Sequence, residues 1–201
     1  MSANNPNSSV VTDAKQGLVE AIHGMGDVGG AVVDAVTGVM VRALHGTRKV
    51  GAEMVSVSTD TMTGVVQGVA EVGSEVGDAA RSIMIGALRG TKQVGQASVD
   101  AIQTNAAALV KGTAEVGGNV TRAAKGAVEG AIEAASEMGV TAEEAATAAA
   151  TGALRAAGEV SAAAGAEVRK TLTGTIHGVK VVLKEPHKRT EPPKRSRKGR
   201  A

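Results

Sequence analysis

Ala43-Leu44-His45-Gly46 and Ala87-Leu88-Arg89-Gly90 are two of eight occurrences of a four-residue phrase that returns every 22 residues. In the phrase, a small or aliphatic residue, an aliphatic residue, a polar residue and a small residue follow one another. The other six occurrences begin at Ala21, Val65, Leu109, Ala131, Ala153 and Thr175. A strict period over this length is typical of repeat architectures. The phrase therefore predicts a repeat fold before any other feature is considered.

The length of the period favours helix over strand. Twenty-two residues are two elevens, and eleven residues make about three turns of helix at roughly 3.67 residues per turn. No proline interrupts residues 16–184, so continuous helix is permitted there. We therefore predict an all-α fold of eight amphipathic units. Two arrangements stay open, one rod of roughly 250 Å or a stack of short helices whose register glycines form the turns.

Two series of apolar residues keep the same register and form a broad apolar stripe on each helical unit. We expect these side chains to supply the packing or surface contacts of the fold. The first series is Ile22, Leu44, Val66, Leu88, Val110, Ile132, Leu154 and Ile176. The second series is Val28, Val50, Val72, Val94, Val116, Met138, Val160 and Val182.

Glycine is frequent and also in register, with 27 residues in the chain. Each glycine in a helix interior costs about 0.8–1 kcal/mol relative to alanine, so isolated units are expected to be marginal. Pairs of small residues four positions apart, such as Gly86 and Gly90, allow another helix backbone to approach closely. The units must therefore pack on each other, on a partner chain or on an apolar surface. A homo-oligomer and an apolar granule or lipid surface are the partners that this requirement suggests.

Charge divides the chain into three parts, which we take as a leader (1–15), the repeat region (16–184) and a basic tail (185–201). From position 184 onward there are eight Lys or Arg residues against two Glu and three Pro, a net charge of +6. From totals of 22 basic and 20 acidic groups, residues 1–183 keep 14 and 18, a net charge of −4. Such a terminal run is a candidate anion-binding arm for nucleic acid. Its cations are Lys184, Lys188, Arg189, Lys194, Arg195, Arg197, Lys198 and Arg200.

Signals for chemistry are weak, and we predict no catalytic residue, metal ligand or cofactor. Residues 24–29 match G-x-G-x-x-G, but the match has no preceding strand, and its first and last glycines, Gly24 and Gly29, are register positions. Three histidines, His23, His45 and His177, share the polar position of the phrase, which elsewhere holds Gln, Arg, Lys or Glu. The chain has no Cys and shows neither a secretory signal nor a spanning segment. A cytoplasmic location is expected.

The 11-residue amphipathic pattern, the small side chains and the absence of aromatic residues resemble several helical families over residues 16–184. These are the late-embryogenesis-abundant proteins, the apolipoprotein- and synuclein-like surface binders, and the phasins that coat polyester granules. The regular glycines depart from all of them. A phasin-like body followed by a Lys/Pro/Arg tail also resembles phasins with histone-like tails, and this resemblance implies nucleoid DNA as a partner.

These observations together predict a non-enzymatic structural protein that self-assembles or coats an interface and whose basic arm tethers it to an anionic polymer. The alternative is a nucleoid-associated DNA-binding protein whose repeat region only oligomerises. A third possibility, from another class, is an enzyme or carrier whose site the sequence does not display.

Overall fold

The computed structural model describes residues 12, 15, 16, 19, 28–45, 52–71 and 76–183, apart from the side chains of 28, 52–56 and 78. Within these residues the all-α prediction is confirmed, because almost all regular structure is helix. The helices are α1 (Val28–His45), α2 (Ala52–Glu71), α3 (Val76–Gln93), α4 (Val99–Glu115), α5 (Val120–Met138), α6 (Ala142–Val160) and α7 (Ala162–Leu172). A short hairpin of β1 (Gly174–Ile176) and β2 (Val179–Val181) follows.

The helices form a stack of short elements in two layers. The most extensive packing joins helices that are next but one in the chain, so α1, α3 and α5 form an odd layer and α2, α4 and α6 form an even layer. The last helix, α7, packs more on α6 than on α5. Neighbours within a layer run parallel, since Gly126 lies against Ala80 and Gly130 lies against Met84 further along both helices. Of the two arrangements that the sequence left open, the described helices adopt the stack of short helices.

Register glycines end the helices. Gly95, Gly117 and Gly139 have φ angles of 75°, 73° and 72°, a left-handed conformation that costs glycine least. At each site the next residue donates its backbone N–H to a carbonyl five residues earlier, for example Gly118 to Thr113 over 2.8 Å. This is the Schellman arrangement that satisfies the last carbonyls of a helix. The glycine that follows each residue of the second apolar series is therefore a stop signal at these three turns.

Polar residues two to three positions after these glycines start the following helices. The Ser98 side chain accepts from the N–H of Ala101, and the Asn119 side chain accepts from the N–H of Arg122. Thr141 forms a complete capping box with Glu144 at the start of α6. Each cap satisfies N–H groups that have no partner within the helix. The glycine that ends one helix and the cap that starts the next thus divide the long helical sequence into short antiparallel helices.

Other register glycines lie where helices of one layer touch. A Cβ atom added to Gly86 would lie 2.6 Å from the carbonyl oxygen of Val33, and one added to Gly130 would lie 2.6 Å from that of Arg81. In α6 the same role belongs to Gly152, whose added Cβ would meet the carbonyl oxygen of Gln103. No side chain fits between these backbones. The glycines thus set how closely the parallel helices pack.

The core runs between the layers and consists of Ala, Val, Leu, Ile and Met. On α6 every buried residue is alanine except Gly152 and Leu154. Among the described residues the buried polar ones are Ser58, Thr61, Thr91, Asn105 and Thr113. Small core residues allow the helices to pack closely, and this close packing takes the place of the aromatic side chains that usually fill a core of this size.

The eighth unit departs from the predicted helix. In the phrase Thr175-Ile176-His177-Gly178, the first two residues belong to β1 and the last two form the turn of the β-hairpin, with φ angles of 48° and 79° at His177 and Gly178. Two consecutive positive φ angles are characteristic of the type I′ turn that joins twisted strands. The flanking residues alternate and are rich in Val and Thr, which suits strands. Ile176 and Val181 point into the core, and the hairpin packs on α6 through β2.

Candidate functional site

The first apolar series lies mainly inside the protein. Leu44, Val66, Leu88, Val110 and Leu154 are buried near the ends of α1, α2, α3, α4 and α6. Ile132 of α5 is partly buried against the same core, and Ile176 is buried in β1 rather than in a helix. Ile22 lies outside the described residues. The stripe of these helices is thus covered by the chain itself.

The second apolar series lies at helix ends and turns. Val94 and Val116 are partly buried against the core, and Met138 is buried at the last position of α5. Val160 and Val182 are 46% and 54% exposed. The side chain of Val28, together with Val50 and Val72, lies outside the described residues. These exposed members are the first sign that the C-terminal end of the stack differs from its middle.

The predicted basic arm falls outside the described residues as a whole. This covers Lys184, Lys188, Arg189, Lys194, Arg195, Arg197, Lys198 and Arg200. His23 and His187 are outside too, whereas His45 is exposed at the end of α1 and His177 is exposed in the hairpin. The Nε2 atom of His177 lies 3.4 Å from Oε1 of Glu129 on α5.

Ion pairs connect neighbouring helices within each layer. Arg89 of α3 donates to both carboxylate oxygens of Glu137 on α5, with N–O distances of 2.8–3.2 Å. Lys111 of α4 pairs with Glu159 of α6. In both pairs a cation at the polar position of the phrase meets an acid 48 residues later, because the partner helix begins two units further on. We call this row of pairs the ion-pair ladder.

The sequence analysis identified the polar position of the phrase, which holds Arg89 and Lys111, but did not pair these cations with acids. The signal was present, since the 48-residue separation is two periods plus one helical turn. The hydrogen bond from Arg89 lowers the pKa of Glu137 below its ordinary value, and the bond to Glu137 raises the pKa of Arg89. Both side chains keep about two-fifths of their surface exposed, 42% and 37%, so solvent weakens the pair.

Two adjoining open grooves run along the outer side of α6. Their volumes are about 670 and 630 Å³. Both are lined by Gln103 of α4 and Thr151 of α6; Leu154 and Arg155 line the first. The later elements border both grooves, since Gly165, Ala166 and Arg169 of α7 line the first and Lys180 of β2 lines the second. This α6 face is the candidate functional site.

Two exposed apolar side chains lie beside the second groove of the α6 face. Val99, Val160 and Val182 are the exposed large hydrophobic residues of the described chain. Val99 and Val182 line the second groove, and Val160 ends α6 beside Glu159, which lines the first.

The α6 face contains no arrangement that indicates a reaction. Among the described residues no group of three His, Asp or Glu side chains is placed to hold a metal ion. The buried polar atoms without a hydrogen-bond partner in the described part are Oγ1 of Thr61 and Oδ1 of Asn105. The amide of Asn105 donates to Thr91 over 3.3 Å inside the core. These atoms lie apart from the grooves and do not extend the site.

Comparisons with known proteins give no relative. No family model matches the chain, and neither a curated protein nor a solved structure matches it. In the part of the chain that the structure describes, every helix is too short or too polar to cross a membrane.

Proposed function

We propose that the protein is a non-enzymatic structural element whose helical body presents a basic arm, residues 184–201, to an anionic polymer such as nucleic acid. The proposal depends mainly on how cations are distributed. On the body, Arg81, Arg89 and Lys111 each lie against a carboxylate of a neighbouring helix. The tail instead concentrates eight Lys and Arg with two Glu. Phosphate is therefore attracted to the arm more strongly than to the acidic body.

The burial of the apolar stripe supports a structural role over the coating of an apolar phase. Val66, Leu88 and Val110 are fully buried within one chain. To place them on a granule or lipid surface, the layers would have to separate and lose their own core. A body that keeps its stripe inside suits the role of a compact support for the arm. On the α6 face, Val99 and Val182 are exposed beside the second groove.

The test compares the full chain with a variant in which the eight tail cations are changed to Gln. Binding to labelled duplex DNA is measured by fluorescence anisotropy over a series of salt concentrations. If five or six phosphates are neutralised, the log of the affinity falls with the log of the salt concentration at a slope of about −5. The Gln variant is expected to lose this binding and to keep its circular dichroism, because no residue of the described hydrophobic core is changed.

A matched control carries the same tail residues in scrambled order. It binds with unchanged affinity, because phosphate contacts depend on charge and not on sequence. Equal binding by the Gln variant, or no binding by the full chain even at low salt, would refute the role of the arm.

A further inference from the structure

The first of the two grooves is a cleft between α6 and α7 with room for a small molecule. Its volume of about 670 Å³ falls within the range of roughly 300–1,000 Å³ that is usual for small-molecule sites. Leu154 of α6, a buried core residue, and Ala166 of α7 provide apolar lining. Gln103 of α4 and Thr151 of α6 add polar groups. Three helices thus form one mainly apolar cleft with few polar groups.

Two glycines keep this cleft open. Gly158 of α6 and Gly165 of α7 both line it, and a Cβ atom added to Gly165 would lie 3.1 Å from the Cα of Gly158. A Cβ atom added to Gly158 would meet no atom of the described chain within 4 Å. The backbones of α6 and α7 therefore approach each other closely, while the space that a side chain at position 158 would occupy is left to the cleft.

The charged side chains of the first groove favour an anion. Arg155 of α6 and Arg169 of α7 line it from two different helices. The acid among its lining residues, Glu159, is paired with Lys111 of α4. Within the described part of the chain, Arg155 has no ion pair. An anionic group in the first groove would therefore be attracted by the guanidinium groups more than it is repelled by the carboxylate.

The second groove gives an apolar continuation to the first. Gln103 and Thr151 line both grooves, and Val99 and Val182 are exposed beside the second. The second groove is less suited to an anion, because two glutamates at 143–144 outnumber the one lysine of its lining. A ligand that extends through both grooves would thus have its charged end in the first and its apolar end in the second.

We propose that the two grooves bind one aliphatic carboxylate, with its charged end at Arg155 and Arg169 and its hydrocarbon chain directed along Thr151 toward Val182. The planar guanidinium group matches a carboxylate and can donate two parallel hydrogen bonds to it. The hydrocarbon chain would remove apolar lining and the exposed valine from water. This binding goes beyond the proposed function, because it requires no residue of the basic arm.

The test titrates the full-length protein with dodecanoate, below the concentration at which it forms micelles, by isothermal titration calorimetry. One dodecanoate is expected to bind per chain with a dissociation constant on the order of 0.1–1 mM. Octanoate has the same carboxylate and a shorter chain, and it is expected to bind at least about tenfold more weakly, because it buries less apolar surface. In two-dimensional NMR spectra, the amide signals of Gly158 and Gly165 shift on binding.

Two variants test the cleft itself. Gly158→Leu fills the open space and weakens dodecanoate binding by roughly tenfold, while the higher helix propensity of leucine keeps α6 stable. Arg155→Gln removes one cation and weakens binding by about fivefold. Ala163→Leu and Lys170→Gln are the matched controls, at exposed positions of α7 outside the groove lining, and they leave the dissociation constant unchanged. Circular dichroism confirms that all four variants are folded.

The variant with eight tail cations changed to Gln separates this site from the arm. It is expected to keep dodecanoate binding, because no residue that lines the grooves is changed. Loss of binding in this variant would overturn the proposal, since the arm would then be the part that holds the anion. The proposal is also overturned if the original chain shows no saturable binding, if octanoate binds as tightly as dodecanoate, or if Gly158→Leu binds dodecanoate as well as its control does.

Discussion

Two glycine-to-alanine changes, Gly130→Ala in α5 and Gly158→Ala in α6, are expected to change stability in opposite directions. Both glycines lie inside helices, so both changes gain the helix propensity of alanine, about 0.8–1 kcal/mol. A Cβ on Gly158 has no neighbour within 4 Å, so only this gain remains. A Cβ on Gly130 would lie 2.6 Å from the carbonyl oxygen of Arg81 and 2.9 Å from the Cβ of Met84.

The cost at Gly130 follows from these distances. The first contact must lengthen from 2.6 Å to about 3.4 Å, and both atoms belong to rigid parts of helices. The α3 and α5 helices must therefore separate along part of their contact, which is the most extensive between any two elements of the described chain. Overpacking of this kind costs about 1–3 kcal/mol. We place Gly130→Ala at the upper end, so after the propensity gain the variant loses about 2 kcal/mol.

Urea denaturation followed by far-ultraviolet circular dichroism measures both changes. The chain has no Trp or Tyr, so intrinsic fluorescence cannot report unfolding. For a chain of this size, the melting temperature is expected to fall by roughly 4–8 °C for Gly130→Ala and to rise by roughly 2–4 °C for Gly158→Ala. If Gly130→Ala is as stable as the original chain, then α3 and α5 do not pack as closely at Gly130 as described.

Two further predictions concern the stripe and the ladder. Leu88 is fully buried, so Leu88→Asp leaves an unpaired charge in the core and is expected to lower the free energy of unfolding by several kcal/mol. Arg89→Glu sets two partly exposed acids side by side and is expected to lower it by about 1 kcal/mol or less. Similar losses of stability in urea denaturation would mean that the helix face is misassigned. The pKa of Glu137 is lower in the folded chain than its ordinary value of 4.5. The ionised carboxylate therefore stabilises the fold at pH values above 4.5, and this stabilisation is lost as the pH falls through the pKa of the folded chain. The stability difference between the original chain and Glu137→Gln, measured by thermal denaturation across pH, is therefore expected to shrink in acid; a difference that grows on acidification would contradict this sign.

The sequence predicts the all-α class and the two roles of glycine, in turns and at close helix contacts. It does not predict which helices pack on each other. A period of 22 residues determines which side of a helix is apolar, and Leu88 and Arg89 fall on the sides that the period predicts. It does not say whether a helix packs most closely on the next helix or on the one after it. That choice follows from the glycine turns at 95, 117 and 139, which reverse the chain at each unit. The ladder pairs become readable once this reversal is known.

The end of the repeat was harder to predict because the phrase keeps its period there while its surroundings change. Ser161 replaces the glycine that follows the second apolar series, and a single residue then joins α6 to α7 instead of a glycine turn. Further on, Val and Thr replace the helix-favouring residues beside the phrase, and His177-Gly178 becomes a hairpin turn. The α6 face was missed for the same reason, because α7 and β2, which border its grooves, depart from the helical register.

Packing between a helix and the next but one has a consequence during synthesis. When α2 leaves the ribosome, the helix that covers its far side, α4, is two units behind in the sequence. At about 5–20 residues per second, roughly 44 residues take about 2–9 s. During that interval the apolar side of the last folded helix is exposed to solvent. Each new helix covers one such side and exposes its own. A ribosome that pauses between two units would thus hold a partly folded chain with one exposed apolar surface. Nascent chains on neighbouring ribosomes of the same messenger RNA could bind to this surface.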